Sequence, residues 1–98
     1  MPLTVSKDAD VVTITLNDQF IFSDHTPFLH AYTNNPPTTR YIIDFKRVNY
    51  MDSSALGMLL LLREACGEEQ SRVKLLNCNP QVQKILEIAN FTRLFTME

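Results

Sequence analysis

Apolar and polar positions along the 98-residue chain change their period several times. Residues 3–6 and 11–16 are short β-type runs around the polar turn Lys7-Asp8-Ala9-Asp10. In the second run Val12, Ile14 and Leu16 share one face, and Val11, Thr13 and Thr15 share the other. That alternation is the signature of a strand with one buried side. Asn17-Asp18-Gln19 breaks the run, and the spacing then turns helical across residues 20–33, with Phe28, Leu29 and Tyr32 in phase. Asp24 or Thr26 can cap this helix, Pro27 fits only within its first turn, and Asn34-Asn35-Pro36-Pro37 ends it.

Residues 41–45 read as a buried strand of the nearly continuous apolar kind found in parallel sheets. Residues 54–66 form a helix that is apolar almost all round, stopped by Gly67, and residues 73–76 are a second short buried strand. The next helix is well punctuated: Asn79 is the N-cap, Pro80 takes the first helical position, and Asn90 follows the end. Val82, Ile85, Leu86 and Ala89 form its buried stripe, and Leu94-Phe95 is placed as a final short strand. Strands and helices alternating after an opening hairpin predict an α/β fold. Its small mixed sheet has parallel neighbours joined by right-handed crossovers.

Composition narrows the function classes. A 45% hydrophobic, 20% charged chain of this length is expected to fold as one soluble domain spanning residues 1–98. Nine basic against eleven acidic side chains give a net charge of −2, which argues against nucleic-acid or anionic-membrane binding. Cys66 and Cys78 lie apart without a CxxC or a nearby histidine, so two free thiols and no metal site are expected. No secretory signal or membrane-length apolar run is visible, so a cytoplasmic location is expected.

Candidate chemistry concentrates where the 41–45 strand hands over to the apolar helix, at Val48-Asn49-Tyr50-Met51-Asp52-Ser53-Ser54-Ala55-Leu56-Gly57. Sites in open α/β sheets lie beyond the carboxyl ends of strands. A hydroxyl at a helix N-terminus sits beside unpaired N–H groups and the positive end of the dipole, a place that stabilises an added phosphate. Asp-Ser-Ser before a helix is equally what an ordinary N-cap looks like.

Met51-Asp52-Ser53-Ser54-Ala55-Leu56-Gly57, preceded by the strand Tyr41-Ile42-Ile43-Asp44-Phe45, resembles the signature of the STAS domain, and more narrowly that of bacterial anti-sigma factor antagonists. The likeness extends over nearly the whole chain, including the helix introduced by Asn79-Pro80 and the Phe20-Ile21-Phe22-Ser23 segment. It implies a STAS-like fold and a signalling role without catalysis or cofactor. By this resemblance Ser53 is the phosphoacceptor and Asp52 the family's aspartate. The unphosphorylated form binds an anti-sigma factor that is often itself a serine kinase. Phosphorylation releases that partner, and a PP2C-type phosphatase restores the complex. The helix after the motif carries much of the binding surface, so Asp52, Ser53, Ser54, Leu56 and Met58 are the expected partner-binding residues, with Leu56 and Met58 near the exposed side. Two positions depart from the pattern: Ala55 replaces a common glycine, and Ile21 stands where the loop usually carries an aspartate. The resemblance also admits a constitutive STAS subunit of a lipid-transport ATPase, and a regulator of a non-sigma partner in motility or biofilm formation.

Other constellations carry less. His25 and His30 are five apart and match no zinc motif. Asp24 adjoins His25 and is badly placed to orient it toward Ser53, and no GxSxG elbow is present. Gly57 and Gly67 are the only glycines, so no phosphate-cradling loop can be written. Lys84 and Arg93 read as solvated charges.

Overall fold

The computed structural model describes residues 3–67 and 72–98. Its elements are β1 (Thr4–Asp8), β2 (Val11–Thr15), β3 (Gln19–Phe20), a 3₁₀ turn (Phe22–Asp24) and α1 (His25–Tyr32). There follow β4 (Arg40–Asp44), β5 (Tyr50–Met51), α2 (Ser53–Ala65), β6 (Val73–Leu76), α3 (Pro80–Ile88), a second 3₁₀ turn (Phe91–Arg93) and β7 (Thr96–Met97). The main sheet has the order β1-β2-β4-β6-β7, antiparallel only between β1 and β2. This is the mixed α/β architecture expected from the strand and helix periods.

The opening hairpin turns in two residues, because Asp8 already pairs with Val11. Ala9 takes a left-handed conformation there (φ 56°), which a non-glycine residue adopts only at a cost. Ile14, Ile43 and Leu75 stand side by side in register and are completely buried. Val12, Tyr41 and Val73 form the next row on the same face. Those rows share one core with Phe28 and Ala31 of α1, Ala55, Met58, Leu59 and Leu62 of α2, and Val82 and Leu86 of α3. The helices therefore cover one face of the sheet. The other face, with Thr13, Ile42 and Lys74 in one row, stays half-exposed.

Three details depart from the sequence expectation. Phe20 does not start a helix: it is a buried strand residue whose ring lies 5.3 Å from Phe28 and 6.2 Å from Phe45. Its strand β3 pairs in parallel with β5, Gln19 beside Tyr50 and Phe20 beside Met51. The last strand is Thr96–Met97, because Phe91 and Phe95 are spent on core packing around the second 3₁₀ turn. Gly67 does end α2, at φ 72°, and Asn79 caps α3 by accepting from the Val82 N–H at 2.8 Å.

Candidate functional site

β2, β4 and β6 run in parallel, so the segments that follow them, 17–24, 45–52 and 77–79, gather at one end of the sheet. The middle segment is pinned from both sides. Asn79 Nδ2 donates to the Val48 carbonyl at 2.9 Å, and the Asn49 N–H donates to the Asp18 carbonyl at 2.8 Å. The short β3–β5 ladder continues the second contact. The start of α2 is thus fixed relative to both flanking loops before any side chain of the motif is considered.

Asp52 is the N-cap of α2. Its Oδ1 accepts from the Ser54 hydroxyl at 2.6 Å and from the Ala55 N–H at 3.1 Å, and its Oδ2 accepts from the Phe22 N–H at 3.2 Å. One carboxylate therefore holds the first turn of α2 and the 3₁₀ turn after β3 together. These bonds, that from Ser54 foremost, hold the Asp52 carboxyl below the usual carboxylate range, although partial burial pulls it the other way.

Ser53 and Ser54 differ sharply in this setting. Ser54 is half-buried with its hydroxyl committed to Asp52. Ser53 occupies the first helical position, is exposed, and makes no side-chain hydrogen bond among the described residues. Its oxygen sits at the positive end of a 13-residue helix.

The outward face of α2 is not the expected one. Ala55, Met58, Leu59 and Leu62 follow the i, i+3, i+4, i+7 spacing and point into the core. Met58, expected near the exposed side, is only 3% exposed, and Leu56 is half-buried against the core. The helix presents Ser53, Gly57, Leu60, Leu61 and Glu64 instead, with Leu60 and Leu61 among the exposed large apolar side chains. Two further apolar groups near the site escaped sequence reasoning. Phe22, whose N–H reaches Asp52, is 67% exposed, and Tyr50, two residues before Asp52, is 54% exposed. Tyr50 and Met51 alternate out and in, but within a strand of two residues that shows no period, and Phe22 stands in the 3₁₀ turn, where strand alternation does not reach.

Ile21 lines a shallow polar depression of about 180 Å³ with Asn17, Asp18, Gln19, Ser23 and Asp24. Its own N–H donates to Asp24 Oδ2 at 3.1 Å, so a carboxylate from further along the chain is held beside Ile21. Among the described residues no group of three or more His, Cys, Asp or Glu side chains could hold a metal ion. Cys66 is buried, and burial, helped by Asp44, pushes the Cys78 thiol up to about 11, so it stays protonated near neutrality. Among the described residues no helix is long and apolar enough to cross a membrane.

A family model described as "Mlab, STAS domain" matches residues 3–96. The STAS-domain containing protein PA14_20770 of Pseudomonas aeruginosa is 46% identical over 91 residues, covering 92% of this chain and 90% of that protein. An anti-sigma-factor antagonist (STAS) domain protein from Planctomyces limnophilus superposes with a TM-score of 0.85 at 18% identity, over 99% of this chain and 89% of the other. The anti-sigma factor antagonist SpoIIAA, from Bacillus, has been solved in two forms. The unphosphorylated form gives a TM-score of 0.70 at 21% identity, over 98% of this chain and 86% of the other. The phosphorylated form gives 0.71 at 19% identity, over 98% and 90%. At such identities these structures establish the fold.

Proposed function

The chain belongs to the STAS domain family, and on that premise we propose that it is a phosphorylation-controlled protein-binding module, an anti-sigma factor antagonist rather than an enzyme. In this reading the unphosphorylated form binds an anti-sigma factor that is also a serine kinase. Phosphate on Ser53 releases it, and a PP2C-type phosphatase resets the domain. The observation that carries the reading is the contrast between the two serines. Ser53 is exposed and uncommitted at the head of α2, while Ser54 is tied to Asp52 at 2.6 Å.

Association would be driven by covering the apolar groups around Ser53: Phe22, Tyr50, and Leu60 and Leu61 further along α2. A phosphate adds about −1.5 to −2 charge at the edge of that surface. Burying it unpaired costs more than about 3 kcal/mol, roughly a hundredfold in affinity, which is enough to dissolve a micromolar complex. The domain itself keeps its fold, because the helix N-terminus favours the negative charge.

Phosphorylation by the partner kinase with ATP and magnesium, followed by mass spectrometry, tests the assignment. Ser53→Ala abolishes incorporation and Ser54→Ala does not. Uptake by Ser53→Ala at the wild-type rate overturns the acceptor assignment. Ser53→Asp loses the partner that Ser53→Ala retains, with an almost unchanged melting curve. A partner held equally by both variants points instead to a constitutive subunit.

A further inference from the structure

We propose that the cavity at the amino ends of β4 and β6 is a second site, independent of Ser53, that binds a phosphate group carried on a small apolar or flat body. The cavity measures about 160 Å³ and is lined by Val11, Arg40, Tyr41, Ile42, Arg72 and Lys74. It opens on the sheet face that no helix covers. Ser53 lies beyond the other end of β4, past roughly 13 Å of strand.

Three of the nine Lys and Arg residues of an acidic chain meet at this one cavity. Arg40 is exposed and engages no carboxylate and no side-chain hydrogen bond among the described residues. Among the described residues Arg72 is held by carbonyls: Nη2 donates to Pro37 and, at 2.8 Å, to Thr39, and Nη1 reaches Cys66 at 3.5 Å. Carbonyl oxygens orient a guanidinium without cancelling its charge. Arg72 is therefore a preplaced cation whose ordering cost is met before any ligand arrives. Lys74 pairs with Glu98 at 3.1 Å, but both side chains are well exposed, and such a pair exchanges readily for a stronger anion. Among the described residues the hairpin adds two acids nearby: Asp8, level with Val11, and Asp10, whose carbonyl accepts the Arg40 N–H at 2.8 Å. They border the three cations without an ion pair to either arginine among the described residues.

Two features choose the ligand chemistry. Two guanidinium groups and an ammonium lining one cavity suit the double charge of a phosphate better than that of a single carboxylate. Between them the surface is apolar, contributed by Val11 and Ile42. Tyr41 shows only main chain there, since its side chain is buried on the helix face and its hydroxyl accepts from Asn35. An apolar or flat body beside the phosphate covers this strip, which an inorganic ion leaves wet.

Amide and guanidinium NMR titration at pH 7.5 and low salt, with phenyl phosphate, inorganic phosphate and benzyl alcohol as probes, tests the site. Phenyl phosphate should give saturable shifts at Val11, Ile42 and Lys74 and bind more tightly than inorganic phosphate. Benzyl alcohol should give none. Arg40→Gln with Lys74→Gln should raise the Kd at least about tenfold without moving the melting temperature. Arg40→Gln alone should do so in part, and Arg72 is left intact because it anchors the 37–39 loop. Ser53→Asp should bind as the wild type does, which separates this site from the switch. Non-saturating shifts, or saturable shifts indifferent to the double substitution, overturn the site. Equal affinity for phenyl and inorganic phosphate overturns the choice of an organic phosphate.

Discussion

Gly57 is a residue whose helical cost has no compensation inside the chain. It is the fifth residue of the 13-residue α2, exposed, one turn beyond Ser53. A Cβ built on it meets nothing within 4 Å, and its backbone is ordinary right-handed helix. Host–guest scales apply directly to such an exposed interior position, and they place glycine about 0.8–1 kcal/mol below alanine. Gly57→Ala should therefore stabilise the protein by about 1 kcal/mol and raise its melting temperature by roughly 4–8 °C, the usual conversion for a domain of up to about 100 residues. Thermal and urea unfolding followed by circular dichroism measures this, with an unchanged urea m-value showing that the denatured state is untouched. A melting temperature that stays put or falls refutes the assumption that α2 is regular and uncovered at this turn.

The same variant bears on function in the opposite direction. If partners approach along Ser53, Gly57, Leu60 and Leu61, the bare backbone at Gly57 is the point of closest approach, and a methyl group there holds the partner off. A more stable protein that binds its partner less well is the expected combination. Higher stability with unaltered binding removes the outer face of α2 from the interface and leaves Phe22 and Tyr50 as the candidate contact groups.

Further outcomes follow from the loops around Ser53. Phe22→Ser and Tyr50→Ser should change stability by no more than about 0.5 kcal/mol, since both rings are exposed and the Phe22 N–H bond to Asp52 survives, while each weakens partner binding by about 2 kcal/mol or more in calorimetry. Asp52→Ala should cost about 1 kcal/mol through the lost cap and a further fraction through the freed Phe22 N–H, read from urea midpoints. That loss should depend on pH: the folded carboxyl titrates below its unfolded value of about 3.9, so its contribution is complete above that value and fades as the pH falls through the folded pKa. The stability gap between wild type and Asp52→Ala should narrow at the acid end, and a gap that stays constant down to that end contradicts the assignment.

The parts of this fold that were legible in sequence are those where one residue meets one local rule. Val12, Ile14 and Leu16 alternate because β2 has one buried face, and Asn79-Pro80 starts α3 because a cap followed by a preset φ has few other uses. Asp52-Ser53-Ser54 could be located for the same reason. What escaped depends on distant partners. β3 and β5 are two residues each, too short for a period, and exist because Phe20 is drawn between Phe28 and Phe45 while Asn49 bonds to Asp18. In the leucine run from Leu59 to Leu62 every position is apolar, so composition carries no phase. Leu59 and Leu62 are inside and Leu60 and Leu61 outside because α2 packs on the sheet through Ala55 and Met58. Met58 falls inward with that phase, which its apolar neighbours do not reveal.

The Asp52 network gives the proposed switch a route beyond simple repulsion. Asp52 occupies the Ala55 and Phe22 N–H groups, so a phosphate on Ser53 has only the remaining open donors of the first turn to accept from. Two anionic groups then share one helix end. Their repulsion acts on whichever bond of Asp52 is most exposed and least constrained. The Ala55 bond lies within the helix itself, and the Phe22 bond reaches across to a 3₁₀ turn that is exposed at Phe22. The Phe22 bond is therefore the one that yields, and it carries an aromatic ring that stands out from the same surface. Phosphorylation would in this way both charge the edge of the interface and loosen one of its apolar groups, while the core beneath, anchored by Phe20, stays as it is.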